Sequence, residues 1–291
     1  MYGRFFLPMS DIKPDSKTLT AKYEHLQNIL KHMKEVLIAF SGGTDSTFLL
    51  NAAKDVLGEK VLAVTALSAT MPEHEKTDAG IFVQKFKVKH LFINTCELEN
   101  SNFIKNPIDK CYICKKIKFG KLIRIAERKK IAWVADGANL DDRNDYRPGT
   151  LAAKELGIRS PLEEAGFTKP EIRLLSKKLN LPTWNKPACA CLASRIPYCQ
   201  TITPEKLKQV DKAETFIREL NLSQQIRVRH EGSTARIEVE NKDIHKFTEN
   251  HVQNNIVKFF KSLGFKFTAL DLEGYSTGSL NQVINLENKR K

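Results

Sequence analysis

No run of about 18 apolar residues occurs in the chain, so no segment is expected to cross a membrane as a helix. The opening stretch, Met1 to Ser10, has a single arginine and a short apolar patch. That is too weak for a secretory leader, and a cytoplasmic protein is expected. No internal repeat is visible, which argues against a solenoid. Cysteine is scarce, at 6 of 291 residues, and this excludes a disulfide framework in a cytoplasmic chain. Cys96 stands alone after an apolar run and is expected as a small buried hydrophobe. Acidic charge is also short: 34 Asp and Glu face 47 Lys and Arg, a net charge of +13 that points to an anionic partner. The lysines are scattered, and pairs such as Lys115-Lys116 and Lys177-Lys178 read as solvated faces. Phosphorylated small molecules therefore account for the excess, and nucleic acid is not the expected partner. Apolar content of 41% leaves room for a large core and two domains.

The informative stretch is Val36 to Leu50. Val36 to Phe40 reads as a buried strand, Ser41-Gly42-Gly43 as a turn, and Ser46 to Ala53 as the start of a helix. A glycine-rich turn at a helix N-terminus gathers backbone N–H groups into an anion site. Gly42 and Gly43 let a ligand approach, Ser41 and Ser46 add hydroxyls, and Asp45 suits Mg²⁺ on a pyrophosphate rather than bare phosphate. No Gly-Lys-Ser/Thr ends the turn, so it is not a Walker loop.

Around this turn the pattern is α/β. A helix is expected over residues 12 to 34, and further strands over 60 to 65, 90 to 94 and 131 to 137. Helices are expected at 72 to 86, 115 to 129 and 171 to 179. Thr65 and Gly137 close strands where an open sheet meets a nucleotide, and the loop after Gly137 holds Asp141, Asp142, Arg143, Asp145 and Arg147. Thr168 and Glu171 have capping-box spacing. Cys111 and Cys114 form a Cys-x-x-Cys pair before a helix, where thiol pKa values fall; zinc, iron–sulfur, redox or no role all remain open for it. Cys189, Cys191 and Cys199 lie on a proline-rich loop. A change of texture divides residues 1–202 from a smaller α+β domain, 203–291. There, helices are expected at 204 to 220 and 244 to 263, and strands at 225 to 230, 234 to 240 and 266 to 272. The first of these strands turns Arg227 and Arg229 to one face.

The string Ser41 to Ser46 resembles the PP-loop of the ATP pyrophosphatases. That resemblance implies an adenine nucleotide alpha hydrolase-like parallel sheet with helices on both faces, and ATP cleaved to AMP and pyrophosphate. From about Glu35 to Gln282 the chain is similar to the sacrificial sulfur transferases of nickel-pincer cofactor synthesis. The carrying segments are Phe40 to Ser46, Asp136 to Gly149, Ser160 to Thr168, Lys186 to Tyr198, Arg227 to Glu238 and Leu270 to Asn281. This resemblance implies adenylation of a carboxylate on a pyridinium dicarboxylate mononucleotide, then displacement of AMP by sulfur. It places Asp45, Ser46 and Cys191 at the chemistry. Ser41, Gly42, Gly43, Thr65 and Gly137 join Asp45 and Ser46 on ATP and Mg²⁺, and Asp142, Arg195, Arg227 and Arg229 bind substrate. Related sulfur transferases hold a [4Fe–4S] cluster by a Cys-x-x-Cys and one later Cys. Cys111, Cys114 and Cys191 are the preferred set here, over Cys189, Cys191 and Cys199. Sulfide or another donor would then supply the sulfur; otherwise Cys191 itself would be sacrificed. Ser276 stands where relatives carry a basic residue. Family rings leave a homo-oligomer open, and a tRNA thiolation enzyme of the same superfamily is the alternative function.

Overall fold

The computed structural model describes residues 16–143, 148–187, 190–276 and 278–280. Expectations that fall on Met1 to Ser10, residues 12 to 15, Asp145, Arg147, Cys189, Asn281 and Gln282 lie outside the described residues. The chain runs α1 (Ser16–Met33), β1 (Val36–Ala39), α2 (Thr44–Leu57), β2 (Val61–Leu67), α3 (Glu73–Lys85) and β3 (Lys89–Asn94). It continues through a short α4 (Ser101–Ile104), α5 (Lys110–Lys129), β4 (Val134–Ala135), α6 (Pro148–Glu155), a single-turn α7 (Pro161–Glu164) and α8 (Lys169–Lys178). Among the described residues no helix is long and apolar enough to cross a membrane.

The four strands are all parallel, in the order β3-β2-β1-β4. Strand alternation divides the core into two layers. Val36 and Ile38 pack with Leu26, Leu49, Phe82 and Phe167 on one face, whereas Leu37, Leu62 and Val64 pack with Phe119, Leu122 and Ile125 on the other. Helices thus cover both faces, as buried parallel strands require. The chain leaves β1 toward β2 and β3, then returns to the opposite side of β1 to lay down β4. The crevice at the strands' C-terminal ends therefore opens between β1 and β4.

Two boundaries differ from the sequence pattern. The strand expected from Ile131 keeps only Val134 and Ala135, because Ile131 donates its N–H to Ala126 O at the end of α5 instead of to a neighbouring strand. Helix α5 begins at Lys110, not at residue 115, because the N–H groups of Tyr112 and Ile113 already turn back onto Asp109 O. Cys111 and Cys114 thus lie inside its first two turns.

The remaining chain forms α9 (Pro204–Glu219), β5 (Ile226–Glu231), β6 (Thr234–Val239), α10 (Asn250–Ser262) and β7 (Phe267–Leu270). The hairpin β5-β6 is antiparallel and β7 joins β6 in parallel. Extended backbone at Glu249 splits the helix expected over 244 to 263 into a 3-10 stretch, Asn241–Thr248, and α10. Helix α9 serves two cores. Ala213 and Ile217 join the β5-β6 core, while Leu207 and Val210 pack with Phe103, Leu192, Ala193 and Ile196 of the preceding chain.

Candidate active site

The turn after β1 follows the expected course from strand through glycine turn to helix start. Gly42 adopts φ +74°, and Gly43 stands extended at the N-cap of α2. Ser41 and Ser46 close the turn on itself: Ser41 N–H donates to Ser46 Oγ (3.3 Å), the two hydroxyls lie 3.1 Å apart, and Ser46 Oγ donates to Gly43 O (3.2 Å). Gly137, just past β4, presses against α2 so tightly that a Cβ would come within 2.9 Å of Ser46 N. Thr65 is buried; its hydroxyl donates to Phe40 O (2.8 Å) and meets His90 Nε2 (2.8 Å). β2 continues to Leu67, so the open strand end expected at Thr65 moves past it.

Asp45 is the charged residue of this turn. One carboxylate oxygen pairs with Lys169 at the start of α8; the other, Oδ1, is buried with no partner among the described residues. Burial pushes the Asp45 carboxyl above the usual range, against the pull of Lys169, and Asp142 adds to the rise. Asp142 accepts from Asn139 N–H (3.1 Å) in the turn after β4. The predicted capping box at Thr168 and Glu171 forms and aims the first turn of α8 at the crevice. Lys186 reaches Glu75 (2.8 Å), Asp78 (2.9 Å) and the backbone oxygen of Gly42 (3.3 Å). Burial raises Glu75, but bonds from His74 and Lys186 outweigh it and hold the carboxyl low. Neither Lys169 nor Lys186 stands out in the sequence. A lysine directly after the Thr168 cap is the signal that could have marked the first.

A second group of side chains gathers where α5 meets the loop that ends in a 3-10 turn, Leu192–Arg195. Cys111 and Cys114 from α5 and Cys191 from that loop feel one another's charge, and Cys114 and Cys191 pack against the same apolar cluster. Contrary to the helix-start expectation, their surroundings push the Cys111 and Cys114 thiols up. Cys114, half-buried, is raised to about 12, mainly by burial, with the proximity of Cys191 adding to it; Cys111 is raised in the same sense by the protein packed around it, although its side chain is exposed to solvent. Around them stand Lys110, Lys118 and Glu97. Lys118 lies 3.5 Å from Glu97, and Glu97 Oε1 accepts from Thr95 Oγ1 (2.8 Å) and faces Cys114 Sγ at 3.9 Å. Among the described residues no three His, Cys, Asp or Glu side chains converge tightly enough for a single metal ion. A cluster asks for a wider triangle, because each thiolate takes a different iron. Cys96, expected inside, is exposed, as is Cys199.

The arginines expected at substrate have separate placements. Arg195 is fully buried: it forks onto Glu214 (2.8 and 3.0 Å) and donates to Ala190 O (2.7 Å) and Cys191 O (3.1 Å). It holds the cysteine loop in place. Arg229 forks onto Glu238 (2.8 and 2.7 Å) and donates to Ser194 O (2.8 Å), beside a cavity of about 120 Å³ that Arg195 and Arg236 also line. Arg227 lies over the Tyr275 ring at 5.1 Å and borders a different cleft of about 660 Å³. Lys186 lines that cleft too, linking it to the Gly42 turn.

Comparison with known proteins agrees with this geometry. Residues 18–107 match the NAD synthase family. The chain is 42% identical over 266 residues to an uncharacterized protein of Synechocystis, covering 91% of this chain and 99% of that one. It is 36% identical over 268 residues to the pyridinium-3,5-bisthiocarboxylic acid mononucleotide synthase of Lactiplantibacillus plantarum, covering 92% and 96% of the two chains. A glutamine-hydrolyzing GMP synthase chain of Thermoplasma volcanium is 28% identical over 217 residues, 69% of this chain and 68% of that one. With a PP-loop at the switch point of its sheet and a relative matched along nearly its whole length, the chain belongs to the pyridinium-3,5-bisthiocarboxylic acid mononucleotide synthase family of PP-loop enzymes.

Proposed function

We propose that this protein is an ATP-dependent sulfur transferase that turns a carboxylate of a pyridinium dicarboxylate mononucleotide into a thiocarboxylate, on the way to a nickel-pincer nucleotide. The name of the Lactiplantibacillus plantarum relative supports the substrate. The observation that carries the sulfur half is the meeting of Cys111, Cys114 and Cys191 from two distant parts of the chain.

In the first step a carboxylate oxygen of the substrate attacks the α-phosphorus of ATP. The bond to the bridging oxygen breaks, and pyrophosphate leaves with its electron pair. The N–H groups of the Ser41 to Ser46 turn and the N-terminus of α2 receive the phosphates. The unpartnered, buried Asp45 Oδ1 suits a hard cation, so Asp45 would hold Mg²⁺, which supplies charge neutralisation on the phosphates. Lys169 keeps the other Asp45 oxygen in place. The cleft shared by Lys186 and Arg227 is large enough for a mononucleotide, with its phosphate toward Arg227. In the second step sulfur attacks the acyl carbon, the C–O bond to AMP breaks, and a thiocarboxylate remains.

Cys111, Cys114 and Cys191 would hold a [4Fe–4S] cluster by three thiolates, and such a cluster supplies an open iron that carries sulfide. A second reading takes the sulfur from Cys191 itself. Its Sγ attacks the acyl carbon, then the Cβ–Sγ bond breaks with loss of the Cα proton to base, leaving dehydroalanine. The bond from Arg195 to Cys191 O, which fixes that cysteine's backbone without help from Cys111 or Cys114, favours that route. Mass spectrometry after several turnovers with added sulfide decides between them. An intact chain, with sulfur transfer abolished by Ser at any of the three positions while pyrophosphate release persists, supports the cluster. Loss of H₂S from Cys191 in step with product supports sacrifice. Cleavage of ATP to ADP overturns the function altogether.

A further inference from the structure

Asn106 lies in the turn before α5, fully buried and in the left-handed region at φ +56°. An L-residue other than glycine is strained there, although Asn tolerates it best. Glycine would remove the strain and the side chain together, so the side chain's bonds are what the position preserves. They all serve one purpose. The amide Nδ2 donates to Ile196 O (3.1 Å) and Pro197 O (2.7 Å), which uses both of its protons, and Oδ1 accepts from Lys110 Nζ (2.6 Å). The backbone oxygen of Asn106 accepts from Cys199 N–H (3.0 Å), and Ile202 N–H donates to Ile104 O (2.9 Å). Lys110, also buried, carries the link onward: its ammonium donates to Ala193 O (3.3 Å) and sits 4.4 Å over the Tyr198 ring. Together these bonds join the start of α5 to the stretch from Ala193 to Ile202. Cys111 follows Lys110 directly, and Cys191 precedes Ala193 by two residues.

We infer that Asn106, acting with Lys110, is a positioning residue that presets the sulfur site. It fastens the Cys191 loop to the first turn of α5, so that the three thiols are gathered before metal, sulfide or substrate arrives. The inference rests on the proposed sulfur chemistry only in taking Cys191 as the loop's functional residue; it holds for a cluster and for a sacrificial cysteine alike. Among the described residues the bonds of Asn106 and Lys110 do not reach the Ser41 to Ser46 turn, so ATP cleavage should persist without the clamp.

The test uses the full, reduced, metal-free protein and arsenite, which binds thiolates held close together. Arsenite binding is followed by the ultraviolet absorption of its sulfur bonds, and pyrophosphate release is measured on the same samples. Asn106→Gly keeps the backbone freedom and removes the clamp. It should weaken arsenite binding about tenfold or more, the scale of one or two net hydrogen bonds, while pyrophosphate release stays within roughly twofold. Asn106→Asp keeps the volume and the bond to Lys110 but sets a carboxylate oxygen against the carbonyls of Ile196 and Pro197, so it should weaken arsenite binding at least as much as Gly. It carries the same test should the Gly variant fail to fold. Arsenite binding at wild-type strength in these variants overturns the clamp, as does a parallel loss of pyrophosphate release. Cys191→Ser is the control on the site itself. If it binds arsenite as wild type does, the three-thiol site is wrong; if it loses binding while Asn106→Gly does not, only the clamp is wrong.

Discussion

Lys169 and Asp45 are joined across the nucleotide crevice, from the first turn of α8 to the first turn of α2, and the pair engages only one of the two carboxylate oxygens. The other oxygen is enclosed without a hydrogen bond among the described residues, an arrangement that costs stability. The Mg²⁺ proposed at Asp45 would offset that cost.

Replacing Asp45 separates stability from activity. Its folded carboxyl titrates above its unfolded value, so the native state holds more protons in that interval. Wild-type stability falls as pH rises through it and stays lower above. Asp45→Asn should consequently melt at or above wild type at neutral pH, with the gain vanishing below the ordinary Asp range. Pyrophosphate release should collapse, and Mg²⁺ should no longer raise the melting temperature. Full activity in this variant, or a Mg²⁺ shift equal to wild type, would show that Asp45 is not the metal position.

Arg227 and Arg229 share a strand face but should fail differently. Arg229→Ala strands the buried Glu238, and since Arg236 still reaches one of its oxygens (2.9 Å), the cost is expected near the low end, about 3 kcal/mol. Arg227→Ala should lower the melting temperature less and weaken nucleotide substrate by roughly 1.5–3 kcal/mol, with the KM for ATP unaltered. Thermal unfolding and steady-state kinetics on both variants check the division. Equal effects on ATP and substrate would refute it.

At Gly137 the constraint is space. A methyl group there meets the Ser46 backbone at 2.9 Å, so Gly137→Ala must push α2 away from β4. An overpacking cost of roughly 1–3 kcal/mol is expected, together with a rise in the Kd for ATP measured by calorimetry. Normal ATP affinity would mean that the crevice yields more easily than its contacts suggest.

His90 should make the sheet acid-sensitive. Burial lowers its pKa to about 4, so the native state binds fewer protons than the unfolded chain between that value and the ordinary 6.5. Stability contributed by neutral His90 is present above the unfolded value and lost as pH falls through the folded one. Calorimetry from pH 7.5 to about 4 should show wild type losing stability faster than His90→Gln. Parallel curves would rule out this source.

The parallel sheet and the PP-loop were legible because Val36 to Phe40 is apolar on both faces and is followed at once by paired glycines and a helix start. The Thr168 cap was legible for a similar reason, since its signal lies within four residues. Contacts made by long side chains from remote segments were not. Lys169 and Lys186 look like ordinary surface lysines until α8 and the loop after it fold over the crevice. Arg195 was expected at the substrate from the family resemblance, yet its fork onto Glu214 exists only once α9 is in place. The thiols' direction of titration was misjudged because helix position was weighed without the surrounding protein, and burial prevails.

Helix α9 is shared between two cores, and this sets an order of events during synthesis. Leu207 and Val210 cover Phe103, Leu192 and Ile196, the apolar bed on which Cys114 and Cys191 rest. A ribosome releases the PP-loop and α5 first, and the cysteine loop only a few residues ahead of α9, which begins at Pro204 and seals that bed. Until then the nascent chain can fold its nucleotide half with the sulfur half still open. The two halves thus close one after the other, and α9 is the piece that completes the second.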